Sequence, residues 1–239
     1  FRRVLFRSAT LAWNDYRHLE TYYAVSGTGY VCHTINPRLF PEQLVFIINH
    51  AEDRWLFVDP MFVPLVEAIK DKISKVEGIV VMTDDKHMPE TSFGNAVSYE
   101  SLIGKESNEY TWPMLDERSA SALCYTSGTT GDPKGVLYDH RSTVLHAYSS
   151  IAPDIMDLSS RDCVLPVVPL FHVNAWGVPY SLFMVGAASR AALSRSSMGA
   201  ERERRTRSLR LCRRSPAPCT SSATPRNSSW SARAAGSSA

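Results

Sequence analysis

YTSGTTGDPKGVLYDH, Tyr125 to His140, is the stretch on which the reading of the fold turns. Thr126 to Gly131 are all small residues, with hydroxyls at Thr126, Ser127, Thr129 and Thr130. Glycine lets a backbone take positive φ and come close to a ligand. Successive N–H groups in such a loop form a concave nest for an anion. Lys134 adds a compact charge on a long stem, suited to a phosphate. Pro133 fixes its own φ and disfavours a helical Asp132, so the lysine is expected on a loop. Upstream, SALCY (Ser121–Tyr125) reads as a short strand. Downstream, HRSTVLHAYSSI (His140–Ile151) reads as a helix. Strand, phosphate loop and helix, in that order, suit nucleotide phosphates. A Walker loop is disfavoured, because Lys134 follows Pro133 and precedes Gly135. The bland alternative is a polar turn without a ligand. Four hydroxyls, three glycines and Pro-Lys-Gly in this order argue against it.

Outward from the loop, apolar runs alternate with amphipathic segments. YVCHTI, WLFVD (Trp55–Asp59) and GIVVMTD (Gly78–Asp84) read as buried strands. A helix is expected before Gly27. Others are expected over Phe40–Glu52, with Pro41 at its start and Leu44, Ile47, Ile48 and Ala51 on one face, and over Met61–Ile73. This alternation implies βαβ units and a parallel sheet, hence an α/β fold. Asp84–Leu115 is polar and broken by Pro89, Gly94 and Pro113. It is expected as a surface excursion with one short helix near Tyr99–Ile103. CVLPVVPLFH (Cys163–His172) is expected as a strand breaking at Pro169.

The chain has 239 residues, 44% hydrophobic, enough for one or two globular domains. No apolar run is long enough to span a membrane. The five cysteines lack CxxC spacing and disulfide density, so a reducing cytosol is the expected setting. The net charge of +2 hides three regions. Residues 189–239 hold 11 Arg and 2 Glu (+9), and residues 1–8 hold 3 Arg (+3), so residues 9–188 carry 2 − 9 − 3 = −10. An acidic middle gives no case for nucleic-acid binding. His33, Asn36 and Arg38 are taken as structural turn groups, and His140 and Arg141 as surface residues at a helix start. His50 and Asp53 show no metal-ligand spacing, and Asp84–Asp85 reads as a solvated loop.

YTSGTTGDPKG resembles the signature loop of AMP-forming acyl-CoA synthetases, within the acyl-adenylate-forming superfamily. VLPVVPLFHVNAWG (Val164–Gly177) resembles a second motif of that family, in its medium- and long-chain fatty acyl-CoA version. HTINPRLFPEQLVFIINHAEDRWLFVD (His33–Asp59) resembles the same branch, which includes methylthiopropionate-CoA ligases. The three matches keep the family order and cover roughly residues 9–188, identified as part of the large N-terminal domain. The resemblance implies that ATP activates a carboxylic acid to acyl-AMP, and that coenzyme A then takes the acyl group. By motif position, Thr126, Ser127, Gly128, Thr129, Thr130, Gly131 and Lys134 bind the nucleotide, with Thr126 on the magnesium side. His172 is implied as a catalytic-site residue between ATP and the acyl pocket, and Val173 and Trp176 as its wall. The expected substrate is a fatty or similar apolar acid. A homodimer is expected for the full-length enzyme. The alternatives are a peptide-synthetase adenylation domain and a non-catalytic nucleotide-binding module.

Both ends depart from this pattern. Ser, Arg and Ala make up 13 + 11 + 9 = 33 of the 51 residues in 189–239. The reading is a disordered basic tail or a reading-frame error in GC-rich DNA. The frame error is favoured, because codons chosen for Ala188–Gly199 and read two bases later give the family's Lys and Pro-x-Leu-Asp. FRRVLFRS (Phe1–Ser8) reads as a non-native leader, since one codon choice spells the end of a sequencing adapter. The family's later segments, including its magnesium glutamate and catalytic lysine, do not follow, so the chain as written is expected to lack ligase activity.

Overall fold

Short aliphatic runs build the sheet. The computed structural model describes residues 7–107, 109–126 and 133–190. The strands are β1 (Arg7–Leu11), β2 (Val31–Thr34), β3 (Trp55–Val58), β4 (Gly78–Val81), β5 (Ala96–Ser98), β6 (Ala120–Thr126) and β7 (Lys134–Asp139). They form one sheet in the order β5-β4-β3-β1-β2-β6-β7. All neighbours pair in parallel except β6 and β7. Arg7 and Ser8, the last residues of the expected leader, are strand residues that pair with Val31 and Cys32.

Helices α1 (Tyr16–Gly27), α2 (Pro41–Ala51), α3 (Val63–Ile69), α4 (Tyr99–Ile103) and α5 (His140–Ser150) connect or flank these strands. α2 starts because Pro41 is pre-set for the first turn. It stops because Glu52 takes the left-handed conformation, where Glu52 N–H reaches Asn49 O and Asp53 N–H reaches Ile48 O. Its face of Leu44, Ile47, Ile48 and Ala51 is buried. Leu44, Ile47 and Ile48 pack with Ala9, Leu11, Leu56, Val58, Ile79 and Val81 from the strands. Tyr22 and Val25 of α1 pack instead with Cys32, Leu170 and Ala175. Burying one such aliphatic side chain is worth about 1.5–3 kcal/mol, so these two clusters carry the fold.

Four expectations need correction. Lys134 is not on a loop: it opens β7, and that strand separates the glycine-threonine loop from α5. Pro133 blocks a helix, and Val136, Leu137 and Tyr138 suit the pleat, so the chain returns antiparallel on β6. The polar excursion contains β5, too short to show an alternation. Met61–Ile73 is not one helix: 3-10 turns at Pro60–Phe62 and Lys70–Lys72 flank α3. Cys163–His172 is a strand only at β8 (Cys163–Val164), paired with β9 (Ala188–Ser189). Packed structure thus reaches Ser189, the first residue assigned to the tail. The rest of that segment beyond Arg190 lies outside the described residues. No helix among the described residues is long and apolar enough to cross a membrane.

His18 of α1 is wholly buried. Its Nδ1 lies 3.0 Å from Trp13 O and its Nε2 2.8 Å from Thr10 Oγ1. A carbonyl can only accept, so Nδ1 carries the proton and Nε2 accepts from the threonine. Burial outweighs the Trp13 contact and holds the imidazole pKa down at about 4. The unfolded chain therefore binds more protons between pH 6.5 and about 4. The stability from neutral His18 is full above pH 6.5 and is lost as pH falls through about 4. It amounts to about 3 kcal/mol. Urea unfolding of His18→Gln at pH 7, 5 and 4 should show lower stability at pH 7 and a flatter acid limb. Parallel curves for parent and variant would contradict this.

Candidate functional site

The site starts where β6 ends. Cys124, Tyr125 and Thr126 pair with Val136, Gly135 and Lys134 of β7. Thr126 and Lys134 therefore stand opposite each other at the two feet of the glycine-threonine loop. Thr126 Oγ1 lies 3.4 Å from Lys134 O, too long to hold the hydroxyl firmly. Both side chains are exposed. Ser127, Gly128, Thr129, Thr130 and Gly131 lie outside the described residues.

β6 is parallel to β2, so Thr126 sits at the carboxyl edge of the parallel strands. Ligands of open parallel sheets bind beyond that edge, where successive strands run out to opposite sides. β1 is such a place, because β2 follows on one side of it and β3 on the other. Just past β1, Asn14 clamps the second motif. Its Nδ2 donates to Pro166 O and Val168 O at 3.0 Å each, and its Oδ1 accepts from Leu170 N–H at 2.7 Å. This clamp explains why the segment is not a continuous strand: its backbone bonds go to a side chain. Leu165 and Val167 consequently point outward.

The motif then makes a left-handed turn. Val173, Asn174, Ala175 and Trp176 have φ of 48°, 50°, 49° and 57°. For residues other than glycine this costs about 1–2 kcal/mol each. Asn174 and Ala175 point inward and are buried, whereas His172, Val173 and Trp176 are exposed. The expected wall residues are thus neighbours on one turn. Tyr22 donates to Leu170 O, and His146 Nε2 lies 3.0 Å from Trp176 O. Gly177 closes the turn at φ 71° and leads into the helix Val178–Val185.

Beneath the hairpin lies a buried pair. His33 Nδ1 is 2.7 Å from Asp53 Oδ2, and both side chains are fully buried. Burial raises the Asp53 pKa, and His33 opposes the shift. His33 is therefore a core strand residue, not the expected turn group. The Schellman-type end of α2 is what turns Asp53 inward. His33's ring packs against Tyr125, whose hydroxyl lies 2.6 Å from His50 Nδ1. Asn14 and Asn174 escaped the sequence reading. Asn174 stood inside the quoted motif, but an asparagine between apolar residues gives no sign of which way it points.

The model of the AMP-binding enzyme family matches residues 7–197. The chain belongs to the AMP-binding enzyme family. A medium-chain-fatty-acid–CoA ligase of Ectopseudomonas oleovorans is 56% identical over 181 residues, covering 76% of this chain and 33% of the relative. A 3-methylmercaptopropionyl-CoA ligase of Ruegeria lacuscaerulensis is 57% identical over 181 residues, covering 76% and 34%. The chain spans about a third of the length of these curated relatives. Among solved structures, the anthranilate CoA ligase AuaEII in complex with anthranoyl-AMP superposes with a TM-score of 0.66 at 22% identity, covering 78% of this chain and 35% of that one. That likeness concerns the fold.

The turn makes a direct demand on Gly177. A Cβ there would sit 2.5 Å from His146 Cδ2 and 2.8 Å from its Nε2, at a backbone angle that side chains rarely adopt. Gly177→Ala should therefore push His146 off Trp176 O and lower stability by about 1–3 kcal/mol. Chemical denaturation with Trp emission as readout checks this. An unchanged midpoint would mean the turn is not held this way.

Proposed function

We propose that the chain is the nucleotide-loop portion of a ligase that activates a fatty or similar apolar carboxylic acid with ATP and passes the acyl group to coenzyme A. The observation that carries the reading is the pairing of Thr126 with Lys134 across the feet of the loop, at the carboxyl edge of a parallel sheet. The names of the relatives, two CoA ligases at 56–57% identity, support the same chemistry. In the first step a carboxylate oxygen bonds to the α-phosphorus and the bond to pyrophosphate breaks. In the second the coenzyme A sulfur bonds to the acyl carbon, AMP leaves, and the thiol proton is released. Lys134, with the hydroxyls of Thr126, Ser127, Thr129 and Thr130 and the backbone of Gly128 and Gly131, would hold the triphosphate and spread its developing charge. The Thr126 hydroxyl fits Mg²⁺, being a hard oxygen at a strand end with only a long contact to Lys134 O. A bound magnesium supplies charge neutralisation on the polyphosphate.

His172, Val173 and Trp176 would face the acyl chain as it meets the nucleotide. Their exposure on one side of the turn supports this, as does the turn's attachment beside β6. Each buried methylene is worth about 0.8 kcal/mol, so such a wall favours longer apolar acids. Buried free thiols at Cys32 and Cys124 suit a reducing cytosol. We carry a homodimer of the whole enzyme as part of the proposal, and light scattering would test it.

A chimera tests the reading. Residues 7–190 replace the matching segment of the Ectopseudomonas oleovorans ligase. ATP–pyrophosphate exchange should persist, and Thr126→Ala or Lys134→Ala should slow it about 10- to 1000-fold. Full exchange in both variants would remove the loop from the mechanism. Thioester formation across C4 to C16 acids should favour medium or long chains. Trp176→Ala should change that profile more than the KM for ATP. Activation of amino acids in place of fatty acids would defeat the substrate assignment.

A further inference from the structure

The left-handed turn sends one polar side chain into the sheet. Asn174 is 7% exposed, and its Oδ1 lies 3.1 Å from Cys124 Sγ, 3.3 Å from Tyr22 Oη and 3.4 Å from Thr34 Oγ1. These partners come from β6, α1 and β2. Burial pushes the Cys124 thiol up, so it stays protonated as a donor, while the single Tyr22 proton goes to Leu170 O and leaves the contact with Asn174 a secondary one. Cys124 is two residues before Thr126, so their side chains leave β6 on the same face. The carboxamide thus meets the very strand that runs into the loop. Asparagine also tolerates the left-handed region better than its neighbours Val173, Ala175 and Trp176.

We propose that Asn174 is a positioning residue that fixes the turn Val173–Trp176 against β6, and so sets the acyl-facing wall relative to the strand ending at Thr126. The inference rests on the functional reading above and assigns a new part to one of its residues. Val173 and Trp176 project outward because Asn174 and Ala175 are held inward. Loss of the carboxamide leaves Cys124 with Thr34 Oγ1, 3.0 Å away, as its partner within the sheet and releases the wall from the nucleotide strand.

The test uses the same chimera. Asn174→Gly keeps the left-handed backbone available and removes only the carboxamide. Cys124→Ala and Thr34→Val remove donors without touching the turn. Each should raise the KM for the preferred acid about 2- to 10-fold, the scale of a lost hydrogen bond, with a smaller change in the KM for ATP. The chain-length profile over C4 to C16 should flatten. Asn174→Gly combined with Cys124→Ala should do little more than Asn174→Gly alone, because both break one contact. Cys124→Ser, which keeps a donor, should restore most of the parent profile. A purely structural role would lower thermal stability and leave the acid KM and the profile in place. If Asn174→Gly does not fold, Cys124→Ala and Thr34→Val read the same contact from the sheet side. An active parent whose variants keep the parent acid KM and profile overturns this inference alone. A folded parent that makes no thioester overturns the functional reading, and this inference with it.

Discussion

The antiparallel pairing of Thr126 with Lys134 is the constraint on which the site depends. It brings two residues eight apart in sequence to one place and forces the intervening loop to begin and end there. Side chains alternate along a strand, so a one-residue slip of β7 would turn Lys134 to the other face of the sheet. β6 is the anchored strand of the pair, packed on both faces. Leu123 and Tyr125 face the α2 side, where Val31, Ala51 and the His33–Asp53 pair are buried. Cys124 and Thr126 face the α1 side. β7 itself buries no side chain, its Val136 and Leu137 being exposed, so the loop's feet are fixed by its backbone ladder to β6.

The same two-sidedness explains why distant segments converge. β1 lies mid-sheet, with α1 and α2 packed on separate clusters. Its carboxyl end delivers Asn14, which takes three backbone partners from Pro166, Val168 and Leu170. The carboxyl end of β6 delivers Thr126. Two parallel strands separated by β2 thus point the loop and the second motif at the same edge. What joins the segments there is a short side chain that bridges backbone groups, not a large charged cluster. Among the described residues no group of three His, Cys, Asp or Glu could hold a metal.

The parallel core was legible because its strands are continuous apolar runs and its helices show a clear one-sided period. Leu44, Ile47, Ile48 and Ala51 were read as a face and are one. β7 was hidden because its KGVLYD carries no alternation of its own, and its pairing is set by β6. β5 is three residues long. VVPLFH resembled a strand in composition, yet Pro166 and Pro169 cannot donate to a ladder and Asn14 claims the backbone. His33 looks like a turn residue in sequence because it is polar and stands beside TIN, yet it lies within β2. Asp53, twenty residues on, makes burial affordable, and a partner at that distance leaves no local trace. For the site, Thr126 and Lys134 were readable as types in a pattern. That they face each other required the hairpin.

The turn Val173–Trp176 is the most expensive feature among these residues, since four consecutive non-glycine residues are left-handed. At about 1–2 kcal/mol each the cost rivals that of a core cavity. It persists because its surroundings over-determine it. Leu170 and Ala175 are buried against Tyr22 and Cys32, Asn174 meets polar groups from three elements, and His146 reaches Trp176 O. Such a cost would be needless if Trp176 served only as core packing, because its ring remains more than half exposed. The turn thus spends stability to hold a large apolar ring outward, next to the strand that bears Thr126, which is the arrangement the proposed acyl-facing wall requires.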